Sequence, residues 1–195
     1  MIELLQGAMA ELVLGDPCEL SSDIGPVIDG DAKRLIDQHI ADLTSIAKRI
    51  AISPLPENLN AGFFIAPQAW EIDRLSDLSA EVFGPILHVI RYQSTELPAI
   101  IEDIRASDFA LTMGVHSRLH GLHDRLEKEA LIGNLYINRD TVGAVVGSNP
   151  FGGHGLSGTG PKAGGPDYLK RLVREHTITD NITALGGNTD LFNLD

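Results

Sequence analysis

A glycine-rich stretch at residues 143–166 has the composition in this sequence that points most directly to ligand chemistry. It contains the spacing GxGxxG at Gly153, Gly155 and Gly158, which in dinucleotide-binding proteins follows a strand and opens a helix. A proline stands on either side of these glycines and opposes a helix there, so we interpret the spacing as a chance match. Such a loop either lets backbone N–H groups approach a ligand or is a mobile surface loop. Composition alone leaves both interpretations open.

A carboxylate and an aromatic ring lie two positions apart in the segment EVFGP, just before an apolar run. The Glu81 carboxylate can accept two hydrogen bonds from a vicinal diol, which is the geometry of a ribose. The Phe83 ring can pack against a planar ring of a ligand. The alternative is a loop glutamate and a core phenylalanine, and in isolation the residues favour that alternative.

Two other groups with reactive or metal-binding side chains carry weaker signals. His120 and His123 have a helical spacing that a metal can use, but no third ligand stands nearby, so we expect surface histidines. Cys18 is the only cysteine, which excludes a disulfide within the chain and any multi-cysteine metal site. Its flanking residues, Pro17 and Glu19, form an acidic neighbourhood that does not favour a thiolate nucleophile. We expect Cys18 to be structural.

The charge balance bears on the class of partner. The chain has 195 residues and a formal net charge of −12, and the acidic excess lies in its first half. This argues against nucleic acid and anionic membranes, because both require a basic face. The single basic cluster (Lys162, Lys170, Arg171 and Arg174) is too small for a nucleic-acid footprint. No apolar run approaches the roughly 20 residues of a transmembrane helix, and no signal peptide is evident, so we expect a cytoplasmic protein.

Strands and helices alternate along the sequence, which is typical of right-handed βαβ units and a largely parallel sheet. Helices are predicted at residues 2–13, 31–50, 95–107 and between Ser117 and Gly133, and strands at 62–67, 86–92, 111–117 and 135–138. Residues 177–184 alternate like an exposed strand and no helix follows them. Such a strand requires a sheet edge, either its own or that of a neighbouring subunit.

Five segments in a fixed order resemble the aldehyde dehydrogenase superfamily. They are GDP…DIGPVID (15–29), GFFIAP (62–67), EVFGP (81–85), GNLYINR (133–139) and PFGGHGLSG (150–158). The longer stretches GNLYINRDTVGAVVG and FGGHGLSGTGPKAGGP resemble the glutamate-semialdehyde (pyrroline-5-carboxylate) dehydrogenases. They are most similar to the dehydrogenase module of the bifunctional proline-catabolic flavoenzymes, proline utilization A. The resemblance implies the C-terminal part of a three-layer α/β/α catalytic domain with a mostly parallel sheet, plus a terminal oligomerisation strand.

The resemblance also implies roles for five residues. Glu81 would bind the hydroxyls of the nicotinamide ribose of NAD, and Phe83 would pack near the nicotinamide. Gly143 and Ala144 match the loop whose backbone N–H groups hold the substrate's α-carboxylate. Phe151 matches the aromatic ring that packs against the substrate's aliphatic chain. The substrate would be glutamate semialdehyde, oxidised to glutamate with NAD, and FAD is implied only if a proline dehydrogenase domain belongs to the full-length protein.

The family's nucleophilic cysteine, oxyanion-hole asparagine, base glutamate and NAD domain would all precede Met1. We therefore expect a partial catalytic domain at residues 1–174, a flap and tail at 175–195, and no activity from the isolated chain. The resemblance further implies a homo-oligomer formed through Thr177–Ala184. Two alternatives stay open: a non-catalytic module for carboxylate binding or subunit association, and a dehydrogenase for another aldehyde acid.

Overall fold

The computed structural model describes residues 1–181 and 184, and the chain divides into two compact units. The first consists of residues 1–109 and 124–131, and the second of residues 110–123 and the chain from Ile132 onward. None of the helices in the described part of the chain is long and apolar enough to cross a bilayer.

Helix α1 is shorter than the sequence predicted. It spans Ile2–Ala10 rather than residues 2–13. The chain leaves the helix because backbone groups of Val13 find other partners: its N–H donates to the Asp23 carboxylate at 2.9 Å, and its carbonyl accepts from the Asp23 N–H at 2.9 Å. A loop follows the helix, and an isolated bridge between Leu14 and Ile24 closes it.

Helix α2 spans Gly30–Ile46 and begins at a well-formed cap, in which the Asp29 carboxylate accepts from the Ala32 N–H at 2.8 Å. The prediction of a helix as far as Ile50 is wrong at its end, because strand β1 occupies Lys48–Ile52. A short apolar run fits helical and strand periodicity equally, and here pairing with a neighbouring strand decides the outcome.

The predicted strand at residues 62–67 is also wrong. Strand β2 begins just after Pro67 and spans Gln68–Glu71. Proline has no N–H to give to a sheet, so the paired segment starts at the next residue. Within β2, Ala69 and Trp70 are buried.

The first unit is built on a three-stranded sheet in the order β1-β2-β3. Strand β3, predicted at 86–92, spans Ile86–Val89 and is parallel to β2, whereas β1 is antiparallel to β2. Helix α3 spans Leu97–Ala106, inside the predicted 95–107. Leu43 of α2 forms a core cluster with Trp70 and Ile72, and several half-buried apolar side chains complete it.

The second unit contains a parallel pair of strands, β5 (Thr112–Val115) and β6 (Asn134–Ile137), both within their predicted segments. Helix α4, His120–Glu129, lies between them in sequence. The short strands β4 (Phe109–Ala110) and β7 (His154–Gly155) form a separate pair. The predicted α/β class is confirmed.

The predicted strand at Thr177–Ala184 falls partly outside the described residues, because 182 and 183 are not described. Residues 177–181 are exposed and form no strand. Pairing of this segment with a partner subunit stays a prediction.

A histidine pair joins α2 to β3. The Nε2 atoms of His39 and His88 are 2.9 Å apart, and their rings meet edge to face with centroids 5.1 Å apart. Burial lowers the pKa of both side chains; Asp42 opposes this for His39, and the neighbouring His39 adds to it for His88. Both lowered values favour the uncharged pair, in which one ring donates to the other.

We expect this pair to make stability depend on pH. Because both folded-state pKa values lie below the unfolded value of about 6.5, the unfolded chain binds protons first as the pH falls. The free energy of unfolding should therefore be highest above pH 7 and decrease below about pH 6.5. His39→Gln should make this decrease smaller in urea unfolding measured at pH 7.5 and 5.5. His154→Gln, which removes an exposed histidine, is the control; an unchanged pH profile in His39→Gln would contradict the assignment.

Candidate functional site

Glu81 and Phe83 lie in the coil that leads into β3, and both are solvent-exposed. The Phe83 side chain is 82% exposed, so the alternative of a core phenylalanine is wrong. Glu81 makes no hydrogen bond or ion pair with any described residue, which leaves both carboxylate oxygens available as acceptors. A free carboxylate and an exposed aromatic ring therefore stand two residues apart, and neither is occupied by a described residue.

The same segment is fixed immediately after these two residues. A Cβ on Gly84 would lie 2.6 Å from the Cδ1 atom of Ile36, which is almost fully buried in α2. The Pro85 carbonyl then accepts from the Gln68 N–H at 3.0 Å. The coil therefore presents Glu81 and Phe83 from a firmly packed base.

In the second unit, the glycine-rich loop folds on itself through paired backbone bonds. Val145 and Asn149 exchange N–H to carbonyl bonds of 3.0 and 2.8 Å, and Phe151 and Ala163 do the same at 3.0 and 2.8 Å. Gly147, at φ +84°, donates to the Gly164 carbonyl at 2.9 Å. These five backbone hydrogen bonds therefore close the loop on itself.

The backbone N–H groups of Gly143 and Ala144 have no partner. Neither donates a hydrogen bond to any described residue, which is also true of the N–H groups of residues 139–142, whereas the following N–H, of Val145, donates to the Asn149 carbonyl. Ala144 is exposed and Gly143, at φ +142°, is half-buried. Adjacent N–H groups without a protein partner can donate to an anion such as a carboxylate.

Phe151 is half-buried at an open cleft of about 370 Å³. Residues of the glycine-rich loop line this cleft together with Tyr168, Arg171 and Leu172. The Arg171 guanidinium donates to the Thr159 carbonyl and so holds the far wall of the cleft. The structure thus places Phe151 in the same unit as Gly143 and Ala144, and Glu81 and Phe83 in the other unit.

Two polar side chains, neither of which was assigned this role from the sequence, hold the loop against β6. The buried Asn134 side chain donates to the Pro150 carbonyl at 3.0 Å and accepts from the Gly152 N–H at 3.4 Å. The Lys162 ammonium donates to the Gly133 carbonyl and to the Asn134 amide oxygen, the latter at 3.2 Å. The sequence did contain a signal for Asn134. This residue lies in the GNLYINR segment, and a polar side chain inside a strand usually has a specific hydrogen-bond partner.

The GxGxxG spacing has a packing explanation. A Cβ on Gly153 would lie 2.7 Å from the Ala110 carbonyl oxygen, and one on Gly158 would overlap the Gly153 carbonyl. Strand β7 and a turn follow Gly153, and no helix opens at Gly158. The glycines let backbone lie against backbone, so the interpretation of a chance match to a dinucleotide fingerprint is supported.

His123 and Cys18 make ordinary hydrogen bonds to neighbouring residues. His123 is buried, contrary to the expectation of a surface histidine, and its Nε2 donates to the Ser117 carbonyl at 3.1 Å. The described residues contain no group of three or more side chains able to hold a metal ion. Cys18 is exposed, and its N–H donates to the Asp16 carboxylate at 2.9 Å within the loop that follows α1.

Residues 1–178 match the family model described as the aldehyde dehydrogenase family. The chain belongs to the aldehyde dehydrogenase family. Among curated relatives in this family, the bifunctional protein PutA of Escherichia coli (strain K12) is 49% identical over 177 residues, or 88% of this chain and 13% of that protein. The 1-pyrroline-5-carboxylate dehydrogenase of Geobacillus sp. (strain WCH70) is 33% identical over 172 residues, or 87% of this chain and 33% of that protein.

Solved aldehyde dehydrogenase structures agree. A crystal structure of Bradyrhizobium japonicum proline utilization A superposes with a TM-score of 0.86 at 46% identity, covering 95% of this chain and 19% of that chain. The 1-pyrroline-5-carboxylate dehydrogenase from Thermus, solved with bound NAD, gives a TM-score of 0.76 at 32% identity over 87% of this chain and 32% of that one. The predicted resemblance to both kinds of enzyme is confirmed, and this chain spans only part of the relatives' length.

We expect that Gly84 of the EVFGP segment cannot be replaced by a larger residue without loss of stability. Gly84→Ala should lower the free energy of unfolding by about 1–3 kcal/mol, because the new methyl group must displace the buried Ile36 side chain. Gly7→Ala is the matched control: it lies in α1 with nothing within 4 Å of the added Cβ. That change should raise stability by about 0.5–1 kcal/mol. Urea unfolding of both variants checks this, and a neutral Gly84→Ala would show that the Ile36 contact is not tight.

Proposed function

We propose that this chain carries the substrate-recognising part of an NAD-dependent glutamate-semialdehyde (pyrroline-5-carboxylate) dehydrogenase, which oxidises the semialdehyde to glutamate in proline catabolism. The observation that carries the proposal is the pair of unpartnered N–H groups of Gly143 and Ala144. They would hold the α-carboxylate of the substrate. Phe151, at the cleft in the same unit, would pack against the aliphatic chain. The relatives named as 1-pyrroline-5-carboxylate dehydrogenases support this choice of substrate.

In the same proposal, Glu81 and Phe83 hold part of the cofactor. The two free oxygens of the Glu81 carboxylate would accept hydrogen bonds from the ribose diol, and the exposed Phe83 ring would lie near the nicotinamide. NAD would supply the hydride acceptor. The solved Thermus relative with bound NAD supports this cofactor, while FAD would enter only with a proline dehydrogenase domain.

Organisation and assembly complete the proposal. Residues 1–174 would form part of the catalytic domain, and residues 175–195 a flap and tail through which copies of the chain associate by Thr177–Ala184. Exposed apolar side chains before and within this segment support association, among them Leu172, Val173 and Ile178. A cytoplasmic location belongs to the same proposal.

The anchor is tested by titrating the ¹⁵N-labelled 195-residue chain with glutamate, the stable product. We expect the amide signals of Gly143 and Ala144 to shift with a millimolar dissociation constant, corresponding to about −4 kcal/mol. 4-Aminobutyrate, which lacks the α-carboxylate and keeps only the distal one, should bind more weakly and shift them less at the same concentration. Gly143→Ala should weaken glutamate binding at least tenfold, since the new methyl group would overlap the Arg139 guanidinium and alanine rarely adopts φ +142°.

Gly121→Ala is the control for this titration, because nothing lies within 4 Å of a Cβ at that position of α4. It should bind glutamate within about twofold of the parent chain. Succinate separates this substrate from those of other aldehyde-acid dehydrogenases. Tighter binding of succinate than of glutamate would reject glutamate semialdehyde as the substrate.

Activity is tested by joining this chain in frame to the preceding part of the dehydrogenase domain of the Escherichia coli relative. We expect the chimaera to form NADH from glutamate semialdehyde. Glu81→Ala should raise the KM for NAD about tenfold or more, because two hydrogen bonds to the ribose are lost. Glu57→Ala, at another exposed glutamate of the first unit, is the control.

A second candidate function is that of a non-catalytic module that binds carboxylates or associates with other subunits. The exposed apolar side chains near residue 172 favour it. In the chimaera experiment it predicts glutamate binding without NADH formation, an outcome that would reject the dehydrogenase assignment.

A further inference from the structure

Arg139 is the charged side chain next to the carboxylate anchor, which is the pair of N–H groups of Gly143 and Ala144. Its Nη2 donates to the Val142 carbonyl at 2.9 Å, and its Nε lies 3.3 Å from the Asp140 carbonyl. The guanidinium also lies over the Tyr136 ring, with 5.0 Å between Cζ and the ring centroid. Three contacts therefore hold one planar group between β6 and the turn that leads to Gly143.

The backbone that leads into Arg139 is fixed by the preceding residue, Asn138. Asn138 adopts a left-handed conformation, at φ +53°, directly after β6. Its side-chain amide oxygen accepts from the Ser117 N–H, and its amide nitrogen donates to the Ser117 carbonyl, both at 2.9 Å. This two-point contact ties the ends of β5 and β6 together, so Arg139 leaves the sheet in a defined direction.

The Val142 carbonyl and the Gly143 N–H belong to the same peptide group. That group is trans, so its C=O and N–H bonds point in opposite directions. When Arg139 holds the carbonyl on one side, the Gly143 N–H is directed to the other side, away from the guanidinium. A charged donor on the carbonyl also polarises the peptide and strengthens its N–H as a donor.

The absence of a side chain at Gly143 has the same origin. A Cβ built there would overlap the Nη2 atom of Arg139, so only glycine leaves the arginine room to reach the Val142 carbonyl. The φ value of +142° at Gly143 is a second reason for glycine. The contact of Arg139 with the Val142 carbonyl therefore depends on glycine at position 143.

We propose that Arg139 is the positioning residue of the carboxylate anchor: it orients the peptide between Val142 and Gly143 so that the N–H of Gly143 faces the ligand's carboxylate. This inference rests on the proposed function of the loop. It adds a residue outside the anchor that sets the preference for substrates with an α-carboxylate. The arginine acts through the peptide, and Asp140, with its carboxylate 3.6 Å away, offsets part of its charge.

The test uses the glutamate titration with two substitutions at this position. Arg139→Met removes the charge and the hydrogen bonds. Arg139→Lys keeps the charge but lacks the planar fork that stacks on Tyr136 while it holds the Val142 carbonyl. We expect both variants to bind glutamate at least tenfold more weakly than the parent chain, with the Gly143 amide signal displaced even without ligand. Arg125→Lys, at an exposed arginine paired with Glu129, should bind glutamate like the parent.

A merely structural role predicts a different pattern. It would lower the thermal midpoint of the Arg139 variants while folded protein kept the parent's ratio of affinities for glutamate and 4-aminobutyrate. Positioning predicts that this ratio collapses towards one. If Arg139→Met does not fold, the Arg139→Lys ratio decides alone.

Different results would reject the proposed function of the loop and the proposed role of Arg139. If the parent chain does not bind glutamate through Gly143 and Ala144, the proposed function of the loop is wrong. If the parent chain binds and both Arg139 variants keep its affinity and selectivity, the anchor stands and the role of Arg139 is overturned.

Discussion

The contact of the glycine-rich loop with strand β6 is the constraint on which the second unit depends. One buried amide, that of Asn134, bonds both to the Pro150 carbonyl and to the Gly152 N–H. An unsatisfied amide in that position would cost about 1–3 kcal/mol, so the loop and the strand keep one relative arrangement. Lys162 adds a charged donor to the same site and closes the loop from its far end. The anchor and the cleft around Phe151 follow from this closure.

Small residues make that closure possible, and they do so by packing rather than by flexibility. A Cβ on Gly133 would overlap the Gly152 carbonyl, and Gly153 and Gly158 are equally tight against backbone atoms. Backbone in van der Waals contact with backbone leaves no room for side chains at these positions. The conformational entropy of ordering so many glycines is offset by the paired bonds within the loop and by its contacts with β6.

The sequence predicted the α/β class and several elements because their signals are local. Helix α2 has an aspartate cap and an apolar face, and β3 lies in a run rich in β-branched and aromatic residues. It failed at Lys48–Ile52 and at 62–67, where the choice between helix, strand and coil depends on which segment finds a pairing partner. That information is not contained in a window of neighbouring residues.

The candidate site shows the same difference between local signals and contacts that only the folded chain creates. The roles of Glu81, Phe83, Gly143, Ala144 and Phe151 were predicted from the resemblance of short motifs to the family, and they stay predictions. The contacts of Asn134, Lys162 and Arg139 could not be read from spacing, because each joins positions that only the folded loop brings together. His123 illustrates the reverse error: a helical histidine pair suggested surface groups, but the ring is buried against the Ser117 carbonyl.

The net charge bears on the form of the proposed anchor. A chain with a formal charge of −12 repels a dicarboxylate such as glutamate, although salt screens that repulsion beyond about 8–10 Å. Recognition must therefore come from short-range, directional donors, which backbone N–H groups provide without a mobile charge. Arg139 would add directionality to these donors rather than net attraction, since its charge is partly offset by Asp140 and its guanidinium is engaged with Val142 and Tyr136. An acidic surface and a peptide-based anion site are thus compatible, because salt limits the repulsion to about 8–10 Å while the N–H donors act within hydrogen-bond distance.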